Sequence, residues 1–286
     1  MGRYKKILVA VDGSESSMHG LKESFKLANN EKSWITVVSV VPPYEGDLDL
    51  VSVRNVTESM RKPFEDALSD AEKIAHEKGA LIKTVAEEGE AYERIIDLAD
   101  AENCDLIVMG RRGLRRVERI LIGSVTARVI GYSNRDVLVV PKDAEIGLKK
   151  ILLATDGSKY SEAAAIKAID LAKSYGGKLE VISIVEAPSE LYEDSQLAFK
   201  KLTEKAKGYA DEIKKQAESS GIKAEAFVKE GKTCQAIVES AKEQKADMII
   251  MGSHGRRGLK RLLMGSVAER VIGLAECPVL IVKGQQ

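Results

Sequence analysis

Apolar positions along this chain follow two rhythms that alternate regularly. Unbroken apolar runs at 7–11 and 106–109 carry β-branched residues, as strands buried on both faces do. A further run at 35–41 stops at Pro42-Pro43, and the run at 82–86 is interrupted by Lys83 and Thr84, which predicts an edge strand. A last run, 137–140, closes the set. Between the runs the spacing changes to three and four. Leu21, Phe25 and Ala28 mark one helix, preceded by Ser14, Ser16 and Ser17 as candidate caps. Met60, Phe64, Ala67, Ala71 and Ile74 mark a longer helix, ended by Gly79, and residues 92–102 and 125–130 predict two more. The polar stretch 44–57, with Gly46, predicts a flexible crossing loop. Strand and helix in this alternation predict an α/β fold, a five-stranded parallel sheet of order 3-2-1-4-5 with helices on both faces.

The same rhythm starts again at residue 151. Asp156-Gly157-Ser158 repeats Asp12-Gly13-Ser14 at an offset of 144, and Glu230-Gly231 repeats Glu88-Gly89 at 142. Arg270-Val-Ile-Gly273 copies Arg128-Val-Ile-Gly131, while Ala206, Ala210, Ile213 and Ala217 mark a second long helix. The chain is therefore an internal duplication. Polar residues with Gly147 separate the copies, so the expected domains are 1–146 and 147–286.

Chemistry concentrates after the fourth strand of each copy. Gly110-Arg-Arg-Gly113, nine residues and Gly123-Ser124 return as Gly252-Ser-His-Gly255, nine residues and Gly265-Ser266. Each pattern runs from a buried strand to a helix start. Glycines let a backbone approach an anion, and the first amides of a helix attract negative charge. Turn formation alone is the alternative, but it does not require the same two separations twice. Residues 110–124 hold five arginines and one acid, and residues 252–266 hold four Lys/Arg, one histidine and no acid. Arg115, Arg116, Arg119, Lys260 and Arg261 also fit a solvated basic face.

Against a chain with 44 basic and 44 acidic residues these loops are local exceptions, and the balance argues against general nucleic-acid or anionic-membrane affinity. No apolar run approaches a membrane span, and the first residues are too short for a signal-peptide core, so a cytoplasmic location is expected. Cys104, Cys234 and Cys277 are scattered and odd in number, and His19, His76 and His254 are equally dispersed. Neither a disulfide framework nor a metal site is expected.

In a sheet of this order the ends of the first and fourth strands meet where the winding reverses, which is where ligands sit. Asp12 and Asp156 would then face the glycine loops across a crevice. A carboxylate accepts hydrogen bonds from an amino group or ribose hydroxyls, so a nucleotide suits both walls. The competing role for each aspartate is a turn or helix cap.

Asp12-Gly-Ser, the glycine loop and the closing Pro278-Val-Leu-Ile-Val282 resemble the universal stress proteins of the nucleotide-binding type, here as a tandem pair. The resemblance covers nearly all of both copies. It implies an adenine nucleotide alpha-hydrolase-like fold, ATP or AMP as ligand with Mg²⁺ alongside ATP left open, a stress-response role as a nucleotide-dependent regulatory or sensor module, and self-association through the last strands, here 137–140 and 279–282. It places Ala10, Val11, Asp12, Val40 and Met109 around adenosine, and Gly110, Arg111, Arg112, Gly113, Gly123, Ser124 and Val125 around ribose and phosphates. The matching second-copy residues are Ala154, Thr155, Asp156, Ile184, Met251, Gly252, Ser253, His254, Gly255, Gly265, Ser266 and Val267. Arg111 and Arg112 depart from the more typical Ser-His of the second copy.

The sequence has neither a Walker loop nor Gly-x-Gly-x-x-Gly. Glu118 is the one acid of the first loop, and its second-copy counterpart is Lys260. Binding without efficient turnover is expected; the alternative is a weak ATPase or nucleotidyl-transferase of the related fold group.

Overall fold

The structure is a computed structural model in which the described residues are 4–28, 33–43, 53–113, 122–186, 193–255 and 264–284, the side chains of 53–57 and 193–196 excepted. The chain divides into two compact units, one of Tyr4–Ala144 and one beginning at Glu145.

The first unit runs β1 (Lys6–Ala10), α1 (Glu15–Ala28), β2 (Trp34–Val41), α2 (Val53–Glu77), β3 (Ile82–Glu88), α3 (Ala91–Ala101), β4 (Leu106–Gly110), α4 (Ser124–Tyr132) and β5 (Asp136–Val140). Its strands are parallel in the order β3-β2-β1-β4-β5. The second unit runs β6 (Lys150–Ala154), α5 (Lys159–Tyr175), β7 (Lys178–Val185), α6 (Glu193–Ser219), β8 (Ala224–Glu230), α7 (Thr233–Glu243), β9 (Met248–Gly252), α8 (Ser266–Leu274) and β10 (Val279–Val282). Its parallel order, β8-β7-β6-β9-β10, is that of the first.

The apolar runs become central strands because both faces are covered. Ile7, Leu8, Val9, Leu106, Ile107 and Val108 are fully buried, and so are Ile151 and Leu152. β3, at the rim, is only partly covered along its length, as its lysine and threonine predicted. Helix α1 lies over β1, β4 and β5 and contacts α2, which covers β2 and β3; α3 and α4 pack on each other. Leu21, Phe25 and Leu27 of α1 enter the core, while Ala28, expected on that face, is only half-buried. The crossing-loop expectation needs correction. Residues 44–52 lie outside the described residues, but α2 already begins at Val53. Polar residues signal a loop only where no helix continues through them.

Two aspartates fix the register at the strand starts. Asp105 Oδ2 accepts from the amides of Lys5 and Lys6 at 2.8 and 3.0 Å, and Asp247 Oδ2 accepts from Lys149 and Lys150 at 2.9 and 2.8 Å. Each pins its unit's first strand beside its fourth, the pair whose far ends frame the site.

Candidate functional site

β1 lies between β2 and β4, with Ala10 opposite Val38 on one side and Met109 on the other. The connections leaving β1 and β4 diverge, which opens a crevice beyond their carboxyl ends. In the first unit this is a cavity of about 660 Å³. Ala10, Val11, Val38, Val40 and Met109 supply an apolar floor, and Met60 and Phe64 of α2 overhang it. The other walls are Pro42-Pro43, residues 89–92 at the start of α3, and Gly110, Arg112 and Gly113 with Gly123, Ser124 and Val125. Asp12 and Ser17 enter beside the glycine loop, and Thr126 and Arg128 continue the α4 wall.

The cavity thus gathers the first-copy candidates with one exception. Arg111 is half-buried and does not line it. Burial and the neighbouring Arg112 lower its guanidinium pKa, while the charge of Asp143 acts against them. In the second unit Ala154 and Met251 lie buried at the ends of β6 and β9, Thr155 follows β6, and Ile184 is on β7. Gly252 ends β9, Ser253, His254 and Gly255 follow it, and Gly265 caps α8, which starts at Ser266 and Val267. Ser253 is buried, with its hydroxyl 3.2 Å from His254 Nδ1.

Asp12 does two things. Its Oδ1 accepts from the Ser14 amide at 3.1 Å and the Ser17 hydroxyl at 2.7 Å, so the turn role is real for that oxygen. Its Oδ2 faces Gly113 so closely that a Cβ there would collide with it. The carboxylate therefore lies against the glycine loop and not across the crevice from it. Asp156 repeats the arrangement: Oδ1 accepts from the Ser158 amide at 3.0 Å, and Oδ2 would stand 2.7 Å from a Cβ on Gly255. Of the three candidate caps, Ser14 caps α1 through the Ser17 amide at 3.2 Å, while Ser16 Oγ accepts from the Arg111 amide at 3.0 Å.

The motif glycines serve different purposes. At Gly110 a Cβ would stand 2.7 Å from the backbone of Ser16 and Ser17, and at Gly252 it would stand 2.7 Å from Tyr160, so these admit the start of α1 and α5. Gly123 and Gly265 are helix N-caps with φ of −62° and −66°, a backbone any residue adopts. Their own amides are used inside the loop: Gly123 donates to Arg111 O and Gly265 to Ser253 O, both at 2.9 Å. The Arg111 amide also donates to Val140 O at 3.2 Å. The amides of Gly123, Gly265 and Arg111 therefore have acceptors within the protein. What faces the crevice is the first turn of α4, Ser124 to Thr126, whose glycine cap contributes no side-chain hydrogen bond. Thr126 holds that turn in place, donating from Oγ1 to Gly110 O at 3.1 Å.

Pro42, Pro43, Met60, Phe64 and residues 89–92 escaped the sequence reading. A signal was present in the repeated Glu-Gly: Gly89 and Gly231 have φ of 130° and 133°, a conformation that favours glycine. Glu118, Arg115, Arg116, Arg119, Lys260 and Arg261 lie outside the described residues. Burial pushes the thiols of Cys104 and Cys277 up to about 11, which leaves them protonated and unreactive at neutral pH. Among the described residues no group of three metal-ligating side chains occurs, and no helix is long and apolar enough to cross a membrane.

Comparison with known proteins is consistent across the chain. The model of the universal stress protein family matches residues 3–141 and again 147–283. A universal stress protein of Methanocaldococcus jannaschii is 41% identical over 139 residues, 47% of this chain and 82% of its own length. One from Mycolicibacterium smegmatis is 27% identical over 97% of this chain and 96% of its own. The crystal structure of a universal stress protein from Archaeoglobus fulgidus superposes with a TM-score of 0.75 at 22% identity, covering 98% of this chain and 97% of that one, which shows the shared fold.

Proposed function

The chain belongs to the universal stress protein family, and from that premise and the crevice geometry we propose that each unit binds an adenine nucleotide, ATP or AMP, as a regulatory module without efficient turnover. The observation that carries the proposal is the glycine cap. Ser, Thr, Asp or Asn at an N-cap stabilises a helix by about 1 kcal/mol over alanine, and by a few tenths of a kcal/mol over glycine. Neither Gly123 nor Gly265 is required by its φ; a Cβ at Gly123 would meet nothing nearer than 3.5 Å, while one at Gly265 would stand 3.3 Å from Ser253 O. Both copies forgo the cap, which keeps the helix start clear for an anionic group.

The rest of the cavity fits the remainder of a nucleotide. The apolar floor and the α2 overhang suit a flat base, and the Asp12 carboxylate beside the loop is placed for ribose hydroxyls between base and phosphates. Asp12 and Glu90 are the carboxylates of the lining; the first is tied into its turn and the second pairs with Arg128. Neither is placed as a general base, so the chemistry supported is binding. Mg²⁺ would enter with the triphosphate.

Calorimetric titration of the full chain with ATP and AMP tests this. Gly123→Ser and Gly265→Ser add a capping hydroxyl and fill the anion position, so each should remove one nucleotide from the stoichiometry while changing stability by no more than a few tenths of a kcal/mol. Unchanged stoichiometry in both variants would overturn the proposal.

A further inference from the structure

In the first unit, three side chains meet on the cavity wall beyond the glycine-capped turn. Arg128 Nη1 lies 3.6 Å from Glu90 Oε2, and the guanidinium carbon is 5.1 Å from the centre of the Tyr92 ring. Tyr92 is fixed in turn, its hydroxyl donating to Glu93 at 2.7 Å and its ring tilted against Tyr132 at 5.5 Å. All three line the cavity. Arg128 follows Ser124 by one helical turn on the same side of α4, and helical side chains lean back toward the N-terminus. Its guanidinium therefore reaches the space just outside the amides of Ser124 to Thr126.

Resting on the nucleotide reading above, we infer that Arg128 recognises the outer phosphates of a nucleoside di- or triphosphate, and that Glu90 competes for its guanidinium, so that the first site grades nucleotides by phosphate number. The Glu90–Arg128 pair is about half exposed on both sides, and such pairs hold weakly. A phosphate presents oxygens that a guanidinium takes in a fork, a stronger contact than this single long one. A monophosphate held at the start of α4 ends before Arg128, and leaves it with Glu90. In the second unit the matching positions are Arg270, Lys232 and Cys234. The arginine persists, but a cation replaces its carboxylate partner and the aromatic ring is gone. Grading by a competing carboxylate therefore belongs to the first site.

The test is calorimetric titration of the full chain in a Gly265→Ser background, which confines the signal to the first site. Arg128→Gln should weaken ATP by roughly tenfold, the size of a charge-assisted hydrogen bond, and leave AMP within about twofold. Glu90→Gln should tighten ATP by roughly two- to fivefold and change AMP less. Retained AMP binding certifies that each variant is folded. Equal loss of both nucleotides, or no change in either, would overturn the inference. A background protein that binds neither nucleotide would instead refute the underlying reading, and is seen before any Arg128 or Glu90 variant is made.

Discussion

Position 42 in the first unit and position 186 in the second follow the same strand, yet one is proline and the other glutamate. Glu186 Oε1 accepts from the Thr233 amide and from its hydroxyl, both at 2.8 Å, and so closes the start of α7. Pro42 offers no such group; α3 starts after Glu90 without a side-chain cap, and its first turn lines the cavity. The long helices differ at the same end of their units. Tyr209 presses on Gly157 so that a Cβ there would stand 2.5 Å from its ring, whereas Ala67 stands 3.6 Å from a Cβ on Gly13. Against this, the aspartate turns, the glycine caps and the 2.9 Å bonds inside both loops match. The duplication has kept the anion end of the crevice and changed the end where a base would lie. On the reading proposed above, the shared features are main-chain features and the differing ones are side chains.

If the frame is common, damage to it should be equal in both units. Gly110→Ala and Gly252→Ala each place a Cβ 2.7 Å from main-chain atoms of the neighbouring helix start, which can shift only by moving that helix. Each should cost roughly 1–3 kcal/mol, the range of overpacked core positions, read by urea denaturation. A large loss in one variant and none in the other would break the equivalence of the frames.

The next largest contrast lies at the opposite end of the sheet. Glu180 on β7 is 1% exposed; its Oε1 accepts from Lys178 at 2.9 Å, and among the described residues its Oε2 has no hydrogen-bond partner. The first unit has Thr36 at that place, where it donates to Glu102 Oε2 at 2.6 Å. A buried oxygen with no donor costs about 1–3 kcal/mol. Glu180→Met should therefore stabilise the second unit by about 1–2 kcal/mol, since an apolar side chain of similar length removes that cost. Thr36→Val should do the reverse in the first unit by about 1 kcal/mol, because Glu102 Oε2 loses its donor while Oε1 keeps Lys83. A destabilised Glu180→Met would mean that the Lys178 pair outweighs the unsatisfied oxygen.

A smaller effect probes the closed helix start directly. Glu186→Ala removes the acceptor from the Thr233 amide and should cost about 1 kcal/mol, as lost caps do. Pro42→Ala, lacking any cap to lose, should change stability less. The same Glu186 variant opens the start of α7, so a tighter second-site nucleotide in that variant would confirm that the cap narrows the site.

The fold was legible because burial on both faces forces unbroken apolar runs and a duplicated chain shows each element twice. The glycine spacing pointed to residues that line one cavity in the first unit. What the spacing could not convey is which atom approaches each glycine: Gly110 admits the main chain at Ser16 and Ser17, Gly113 admits a carboxylate, and Gly123 has only the loop backbone at ordinary contact distance, 3.5 Å and beyond. Those are three reasons for one residue type. The start of α2 was missed although Val53 and Val56 continue the three-and-four spacing into Met60, because the polar residues around them match a loop equally well over so short a stretch. Glu90 and Arg128 were missed as a pair because each sits in an ordinary polar context, and only the packing of α3 on α4 brings them together.

The smallest expected effect is a difference in acid sensitivity between the units. Burial acts most strongly on Glu102 and by itself would raise its pKa. Hydrogen bonds from Lys83 at 2.5 Å and Thr36, with the charges of Lys83 and Lys6, together hold it below the ordinary glutamate range. A carboxyl depressed in the folded state stabilises it above its unfolded pKa, and that contribution is lost as pH falls through the folded value. In the second unit the positions of Glu102 and Lys83 are Gln244 and Glu225, so this particular contribution has no counterpart. Glu102→Gln should cost about 0.5 kcal/mol at neutral pH, discounted for the exposure of its lysine partner, and almost nothing near pH 3. Gln244→Glu should not confer the same behaviour, because the neighbouring Glu180 and Glu225 would repel a second carboxylate where Thr36 and Lys83 welcome it. Urea denaturation of the four combinations at neutral and acid pH reads the difference. Were the Glu102→Gln deficit to persist undiminished at acid pH, Glu102 would be acting through packing and not through its charge.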